Sequence, residues 1–197
     1  MQVTNTFFNE LPNYQQYFEL INNLFEQGKT TGDNQSETML NYSKLGISRT
    51  KRGLKTFQIT EELLAAAKTL KATKWLVISE AWCGDAGNTT PIIAILADQL
   101  DNVDLRVILR DDNPEIMDNY LTNGGRAIPI MVFFDDEMNE VFRWGPRPKP
   151  AQDVVMEHKN NPEETYEEFS IRLQKWYQQD KTQTTQQELT DLMKSHS

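Results

Sequence analysis

The hydrophobic pattern of the chain centres on residues 75–100. An uninterrupted apolar run over residues 75–78 predicts a strand covered on both faces, because such strands lose the usual alternation of apolar and polar positions. A tight turn over residues 81–85 follows it. Beyond the turn, apolar residues recur at helical spacing, at Ile92, Ile93, Leu96 and Leu100. The pattern therefore predicts a strand, a turn and a helix.

Three helices are predicted before this unit. Residues 1–9 are expected to form a loose arm, and the first helix follows Pro12, where proline suits the first turn. A second helix begins near Ser36, and a third begins after the N-cap Thr60 and ends near Leu70. The first helix has an apolar face of Tyr14, Phe18, Ile21 and Phe25.

After the central unit, alternation predicts a second strand over residues 103–110, and Pro114 opens a short helix. Residues 128–134 and 140–144 form two strands whose short turn favours an antiparallel hairpin. Two further helices are predicted, over residues 151–158 and 162–179. The chain after Asp180 is rich in Gln and Thr, and at most a weak helix is expected around residues 189–193.

The resulting order of elements predicts an α/β fold in three layers, with a mixed central sheet between helices. Strands separated by a helix are normally parallel, whereas the closing hairpin adds an antiparallel edge. In such sheets, functional sites form beyond the carboxyl ends of the strands.

Composition restricts the classes of partner. The 197 residues carry a net charge of −9, which argues against nucleic acid and against an anionic membrane surface, since both would repel the protein. No run approaches the roughly 20 apolar residues that span a bilayer. The N-terminal residues lack the pattern of a secretory signal, and a lone cysteine cannot form an internal disulfide. We therefore expect a cytoplasmic protein.

That lone cysteine, Cys83, lies in the turn before the central helix. The free N–H groups at a helix N-terminus favour a thiolate, so Cys83 is a candidate nucleophile. Glu80 and Asp85 oppose this effect, because nearby negative charge disfavours a second one. Basic residues would offset them if they face the site, and the candidates are Arg126, Arg143 and Arg147. The alternative is a small buried filler, a common role of free cysteine.

At this point the sequence resembles the thioredoxin family. Trp82-Cys83-Gly84 after a hydrophobic strand matches the start of that family's W-C-G-P-C motif, and Pro91 falls where its active-site helix is kinked. Ile128-Pro129 resembles its cis-proline segment, and Gly145 suits its late glycine. The resemblance implies a thioredoxin-like domain over residues 59–159. The W-C-G-D variant is also similar to a bacterial thioredoxin-like subgroup.

On this basis the chain divides into three parts. Residues 1–58 are expected to be an N-terminal helical extension packed on the core, and residues 160–197 a C-terminal helix with a polar tail. The basic cluster of Arg49, Lys51, Arg52 and Lys55 is interpreted as a solvated face. The aromatic side of the helix over residues 162–179 is interpreted as docked core.

The departures from the family pattern concern its chemistry. Asp85 replaces the proline of the motif, and Ala86 replaces the second cysteine, which would resolve a mixed disulfide internally. Val77 stands where the family commonly has a buried carboxylate. Ordinary dithiol turnover is therefore not expected.

The resemblance implies Cys83 as catalytic residue and Trp82, Gly84, Asp85, Ile128 and Pro129 as substrate-binding residues. If the bond before Pro129 is cis, the Ile128 backbone is available for strand-like pairing with an extended peptide. No cofactor is expected. No metal site is expected either, because His158 and His196 are not in ligand spacing with Cys83.

Two functions remain open. One is a monothiol redox protein, in which Cys83 attacks a protein or peptide disulfide, or takes up glutathione, and an external thiol resolves the adduct. The other is a redox-inactive thioredoxin-fold module that binds a peptide or protein partner. Oxidative dimerisation through Cys83 is a weaker third possibility.

Overall fold

A four-stranded mixed sheet forms the centre of the molecule. In the computed structural model, which describes residues 2–197, the strands are β1 (Lys74–Ser79), β2 (Asp104–Leu109), β3 (Ile130–Phe134) and β4 (Glu140–Trp144). Their order is β2-β1-β3-β4. β1 pairs parallel with β2 and antiparallel with β3, and β3 pairs antiparallel with β4. The predicted α/β fold with a mixed sheet and a closing hairpin is confirmed.

Helices cover the sheet and extend beyond it. Those before β1 are α1 (Asn5–Glu10), α2 (Tyr14–Glu26), α3 (Glu37–Thr56) and α4 (Glu61–Thr69). Those between the strands are α5 (Gly84–Ala97) and α6 (Pro114–Met117). Those after β4 are α7 (Lys149–Asn160), α8 (Tyr166–Asp180) and α9 (Gln183–Ser195).

The two faces of the sheet bury different helices. Because side chains alternate along a strand, Trp75 and Val77 of β1 pack on one face with the apolar residues of α2, α4, α5 and α9. Leu76 and Ile78 pack on the other face, with Phe8 of α1 and the residues of α6. These two apolar clusters give the predicted three layers.

The expectation of a loose arm at the N-terminus is wrong for the described part of that segment; Met1 lies outside the described residues. The hydroxyl of Thr4 accepts a hydrogen bond from the amide of Phe7 and caps α1. Phe8 is fully buried in the cluster beneath Leu76. Burial of this aromatic side chain stabilises α1, because so short a helix is unstable without tertiary packing.

The C-terminal segment also differs from its prediction. Instead of a polar tail with a weak helix, residues 183–195 form α9, in which Leu189 and Met193 are fully buried. Gln186 accepts a hydrogen bond from the amide of Thr60 and donates one to the carbonyl of Gln58. The buried side chains of Leu189 and Met193 and the hydrogen bonds of Gln186 thus fix a mostly polar helix against the start of α4.

None of the helices within residues 2–197 is long and apolar enough to cross a lipid bilayer. The boundaries proposed at residues 58 and 159 stay a prediction.

The long helix α3 packs directly on the turn that follows β1. A Cβ atom at Gly46 would overlap the carbonyl oxygen of Ala81, and one at Gly87 would lie 2.8 Å from the carbonyl oxygen of Gly46. Only glycine permits this approach of two backbones. The helix α3 is therefore seated on the residues that precede α5.

We expect Gly46→Ala to destabilise the protein, although alanine is the better helix former by about 1 kcal/mol. The new methyl group forces α3 away from Ala81, and overpacking of this kind typically costs about 1–3 kcal/mol. Urea denaturation measures the free energy of unfolding. The matched control is Ser48→Ala at an exposed site of α3; equal stability of the two variants would contradict the close approach.

Candidate functional site

A cavity of about 420 Å³ lies at the carboxyl end of β1, between α3, α8 and the turn that carries Cys83. The turn contributes the four predicted site residues 82–85, and the segment before β3 contributes Ile128. The remaining lining residues come chiefly from two helices: Met39, Tyr42, Leu45 and Arg49 from α3, and Tyr166, Phe169, Ser170, Leu173, Gln174 and Tyr177 from α8.

Cys83 occupies the N-cap position of α5. Its sulfur accepts a hydrogen bond from the amide of Ala86, at 3.4 Å, and its S–H group donates to the carbonyl of Ile128, at 3.3 Å. The residue is only 7% exposed. The thiol is thus held between the start of α5 and the segment before β3, and both of its hydrogen-bonding functions are used.

Burial raises the pKa of the Cys83 thiol to about 12, because the thiolate loses its hydration. The nearby carboxylate of Asp85 raises this pKa further. The Ala86 amide and the Arg147 guanidinium lower it, and they do not overcome the loss of hydration. The environment therefore favours the neutral thiol, contrary to the effect expected from a helix N-terminus alone.

Asp85 forms a buried ion pair with Arg147. One carboxylate oxygen accepts two hydrogen bonds from the guanidinium, at 2.5 and 3.0 Å, and the other accepts one from the Tyr177 hydroxyl, at 2.7 Å. Attraction by Asp85 raises the pKa of Arg147 against the opposing effect of burial. The network connects the turn at Cys83 to the segment after β4 and to α8, so both Asp85 oxygens have partners within the protein.

Of the three arginines considered from the sequence, only Arg147 faces the site. Arg126 pairs with Asp118 at the surface, and Arg143 pairs with Glu140 and lies over the ring of Tyr120. Both guanidinium groups therefore interact away from the site and do not offset the negative charge of Asp85.

Trp82 lines the cavity and is covered by Arg110, whose guanidinium carbon lies 4.6 Å from the ring centroid. Arg110 also pairs with Asp111, at 2.7 Å. A cation over an indole face is a favourable contact. This arrangement fixes the Trp82 ring as one wall of the cavity.

The interpretation of the basic cluster as a solvated face is wrong for Arg49. Lys51, Arg52 and Lys55 are exposed, whereas Arg49 is half-buried and lines the cavity. The cause is helical spacing: Arg49 lies three residues after Gly46, on the face of α3 that packs against the turn. The series Tyr42, Gly46, Arg49 and Gly53 follows this face and was the signal that could have revealed it.

The Ile128–Pro129 bond is cis, as the resemblance implied. Ile128 is 4% exposed and its carbonyl accepts the hydrogen bond from Cys83, whereas Pro129 is not part of the cavity lining. Gly84 lies beneath Arg49, and a Cβ at this position would be 2.7 Å from the guanidinium. The predicted site residues therefore meet in one place, except Pro129.

The interpretation of the aromatic side of α8 as docked core holds for only some of its residues. Phe169 and Tyr177 are buried, but both line the cavity, and Tyr166 is 58% exposed. The rings of Tyr166 and Tyr42 meet edge to face, 6.2 Å apart. This contact connects α8 to α3 beside the cavity.

Glu80 is a buried carboxylate, although from its sequence position it is only a charge near Cys83. It is 1% exposed; its Oε1 accepts a hydrogen bond from the amide of Asp111, whereas Oε2 has no partner within residues 2–197. Burial raises the pKa of Glu80 to about 7, against the lowering effects of Thr31 and the Asp111 amide.

Three comparisons with known proteins bear on this fold. A model of the thioredoxin family matches residues 32–163. A search of the curated proteins found no match. The solved structures that resemble the chain include a crystal structure of an HIV epitope scaffold (TM-score 0.59, 15% identity, covering 99% of this chain and 100% of the other). They also include a protein of unknown function from Pseudomonas aeruginosa (TM-score 0.57, 16% identity, covering 95% of this chain and 100% of the other). At these identities the two structures support the fold alone.

We expect Asp85→Asn to reduce the free energy of unfolding by about 3–5 kcal/mol, because it leaves the buried Arg147 without its counter-charge. Urea denaturation at neutral pH measures this change. Asp118→Asn breaks the exposed pair with Arg126 and is the matched control, for which we expect little change. Equal losses in the two variants would show that the Asp85–Arg147 pair is no more important than a surface pair.

Glu80 should make the protein less stable as pH rises. Its pKa is raised in the folded state, so between about pH 4.5 and 7 the folded chain holds a proton that the unfolded chain has released, and stability falls across this window. The effect is about 3 kcal/mol by linkage. In urea denaturation at pH 5 and pH 8, Glu80→Gln should flatten this dependence, and the exposed control Glu62→Gln should retain it. An unchanged slope in Glu80→Gln would contradict the assignment.

Proposed function

Since the chain belongs to the thioredoxin family, we propose that it is a redox-inactive member, a module that binds its ligand in the cavity beside Cys83. The observation that carries this proposal is the state of the thiol. Cys83 is buried, donates to the Ile128 carbonyl and has a pKa raised to about 12. The thiolate is the nucleophile in thiol–disulfide exchange, and this environment suppresses it.

The extent of suppression can be compared with that of an ordinary thiol. A thiol with a pKa near 9 is about 1% ionised at pH 7, whereas one near 12 is ionised about a thousand-fold less. Ala86 also leaves the chain without a second thiol that would resolve a mixed disulfide. At neutral pH the first step of a dithiol cycle therefore lacks its attacking thiolate, and the second step lacks its resolving thiol.

The shape of the site supports binding. Ligand cavities in proteins typically measure about 300–1,000 Å³ and combine apolar walls with a few polar groups. The cavity beside Cys83 falls within this range, and aromatic residues such as Trp82, Tyr42 and Phe169 contribute to its walls. The helices α3 and α8 supply half of its lining residues, which gives them a role that packing on the core alone does not explain.

The proposed ligand is small. Strand-like pairing of an extended peptide needs an accessible backbone, and here Ile128 is 4% exposed with its carbonyl already bonded to Cys83. This observation makes a compact molecule in the cavity a better occupant than the peptide considered from the sequence. We propose the cytoplasm as the compartment, because the chain has a single thiol and it forms no disulfide.

A monothiol redox role is the second candidate, favoured by one observation: Cys83 lines the cavity, so a small disulfide bound there would be near the sulfur. The Cys83 thiolate would attack one sulfur of the disulfide, form a mixed disulfide and expel the other sulfur as a thiolate. An external thiol such as glutathione would then release Cys83 by the same exchange. Oxidative dimerisation through Cys83 requires the same reactive thiolate.

Alkylation by iodoacetamide separates the two candidates. We expect Cys83 in the folded protein to react at least about 100-fold more slowly at pH 8 than in the denatured chain, because little thiolate is present. The rate should also keep rising beyond pH 10, where an ordinary thiol is already ionised. Mass spectrometry at timed intervals measures the modified fraction.

The control is an exposed thiol in the same fold, introduced as Ser195→Cys in the Cys83→Ser chain. It should react at the ordinary rate. A folded Cys83 that reacts as fast as this control would reject the redox-inactive assignment and support the monothiol role.

A further inference from the structure

We infer that the cavity beside Cys83 binds a small organic monoanion with an aromatic or other apolar body, and that Arg49 receives its anionic group. This inference rests on the proposed binding function and specifies the class of ligand. The observations that carry it are the charges around the cavity, the position of Arg49 and the character of the walls.

The charges leave one cation without a partner. Three arginines line the cavity: Arg147 is paired with Asp85, and Arg110 is paired with Asp111. Arg49 forms no hydrogen bond or ion pair with any residue in the described chain, 2–197. The cavity therefore carries one uncompensated positive charge, in a protein whose net charge is −9.

Arg49 is also held away from bulk water. Burial lowers its pKa, while attraction by Asp85 opposes this effect. The guanidinium lies against Gly84, where any larger residue would displace it, and the Arg49 stem contacts the position of a Cβ at Gly87, at 3.0 Å. Two glycines at the start of α5 thus make room for a half-buried arginine. Partial burial of an unpaired guanidinium is unfavourable, and a bound anion would offset this cost by pairing with it.

The number of charges restricts the anion. A single uncompensated guanidinium balances one negative charge. Its planar group donates two parallel hydrogen bonds to a carboxylate or a similar anion. A doubly charged group would bring a second negative charge near the carboxylate of Asp85. Arg147 could not balance that charge, because it is already paired with Asp85. A monoanion therefore fits better than a phosphate dianion.

The walls indicate the body of the ligand. Trp82 presents an indole ring fixed by Arg110, and Tyr42, Tyr166 and Phe169 add further rings. Aromatic surfaces of this kind bind flat apolar groups by burial and by ring contacts. A ligand with an aromatic body and one anionic group satisfies both the rings and Arg49.

Two fluorescent probes with the same body test this inference. Anilinonaphthalene sulfonate is an aromatic monoanion, and phenylnaphthylamine is its neutral counterpart; both brighten when they leave water. We expect the protein to bind each at one site. Arg49→Met should weaken the sulfonate at least about ten-fold and leave the neutral probe unchanged, because a charge-assisted hydrogen bond is lost.

Three variants control the result. Arg52→Met removes an exposed arginine of the same helix and should change neither affinity. Arg49→Lys keeps the charge and should lose less sulfonate affinity than Arg49→Met, which also guards against a folding defect in the methionine variant. Ser170→Trp fills the cavity from α8 and should weaken both probes.

The outcomes separate this inference from the binding function on which it rests. If Ser170→Trp weakens both probes but Arg49→Met leaves the sulfonate unchanged, the cavity binds ligands and the role of Arg49 is wrong. If Ser170→Trp affects neither probe, or the wild-type protein binds neither, the binding function itself is rejected. If Arg52→Met loses as much sulfonate affinity as Arg49→Met, the effect is due to general surface charge, and the inference is overturned.

Discussion

The close contact between α3 and the turn after β1 is the constraint on which the site depends. Gly46 and Gly87 allow backbone to lie against backbone, so α3 lies over the start of α5, next to the turn that carries Cys83. This contact brings Arg49 above Gly84, while the Cys83 side chain is buried in the apolar cluster that contains Leu76 and Ile78. A single packing interaction therefore places an unpaired cation beside the turn that carries the buried thiol.

The second wall of the site depends on Asp85. Its carboxylate binds Arg147 and the Tyr177 hydroxyl, and this network connects the turn at Cys83 to the segment after β4 and to α8. A proline at this position, as in the family motif, has no side chain to make these bonds. The Asp85 side chain thus attaches α8 to the turn that carries Cys83. The helices α3 and α8 together enclose the cavity with the turn that carries Cys83.

The electrostatics of Cys83 illustrate how competing effects are decided by magnitude. The amide of Ala86 and the guanidinium of Arg147 both favour a thiolate, as the position at a helix N-terminus predicts. Loss of hydration is the larger effect and the charge of Asp85 adds to it, so the pKa of Cys83 is raised. The neutral thiol acts as a hydrogen-bond donor to Ile128 and so fixes the segment before β3, a structural role in place of a nucleophilic one.

Local sequence determined the elements that carry their own signal: the apolar run of β1, the turn and helix that follow, the hairpin of β3 and β4, and the cap at Thr60. It also placed residues 82–85 and Ile128 at one end of the sheet. It did not reveal α9, because two of its five buried residues, Leu189 and Met193, are apolar and the rest are Gln and Thr, which makes a weak pattern. Only the tertiary structure decided whether Cys83 is ionised and whether Arg49 is solvated, because desolvation depends on which distant helix covers a residue, and periodicity within one segment carries no information on that partner.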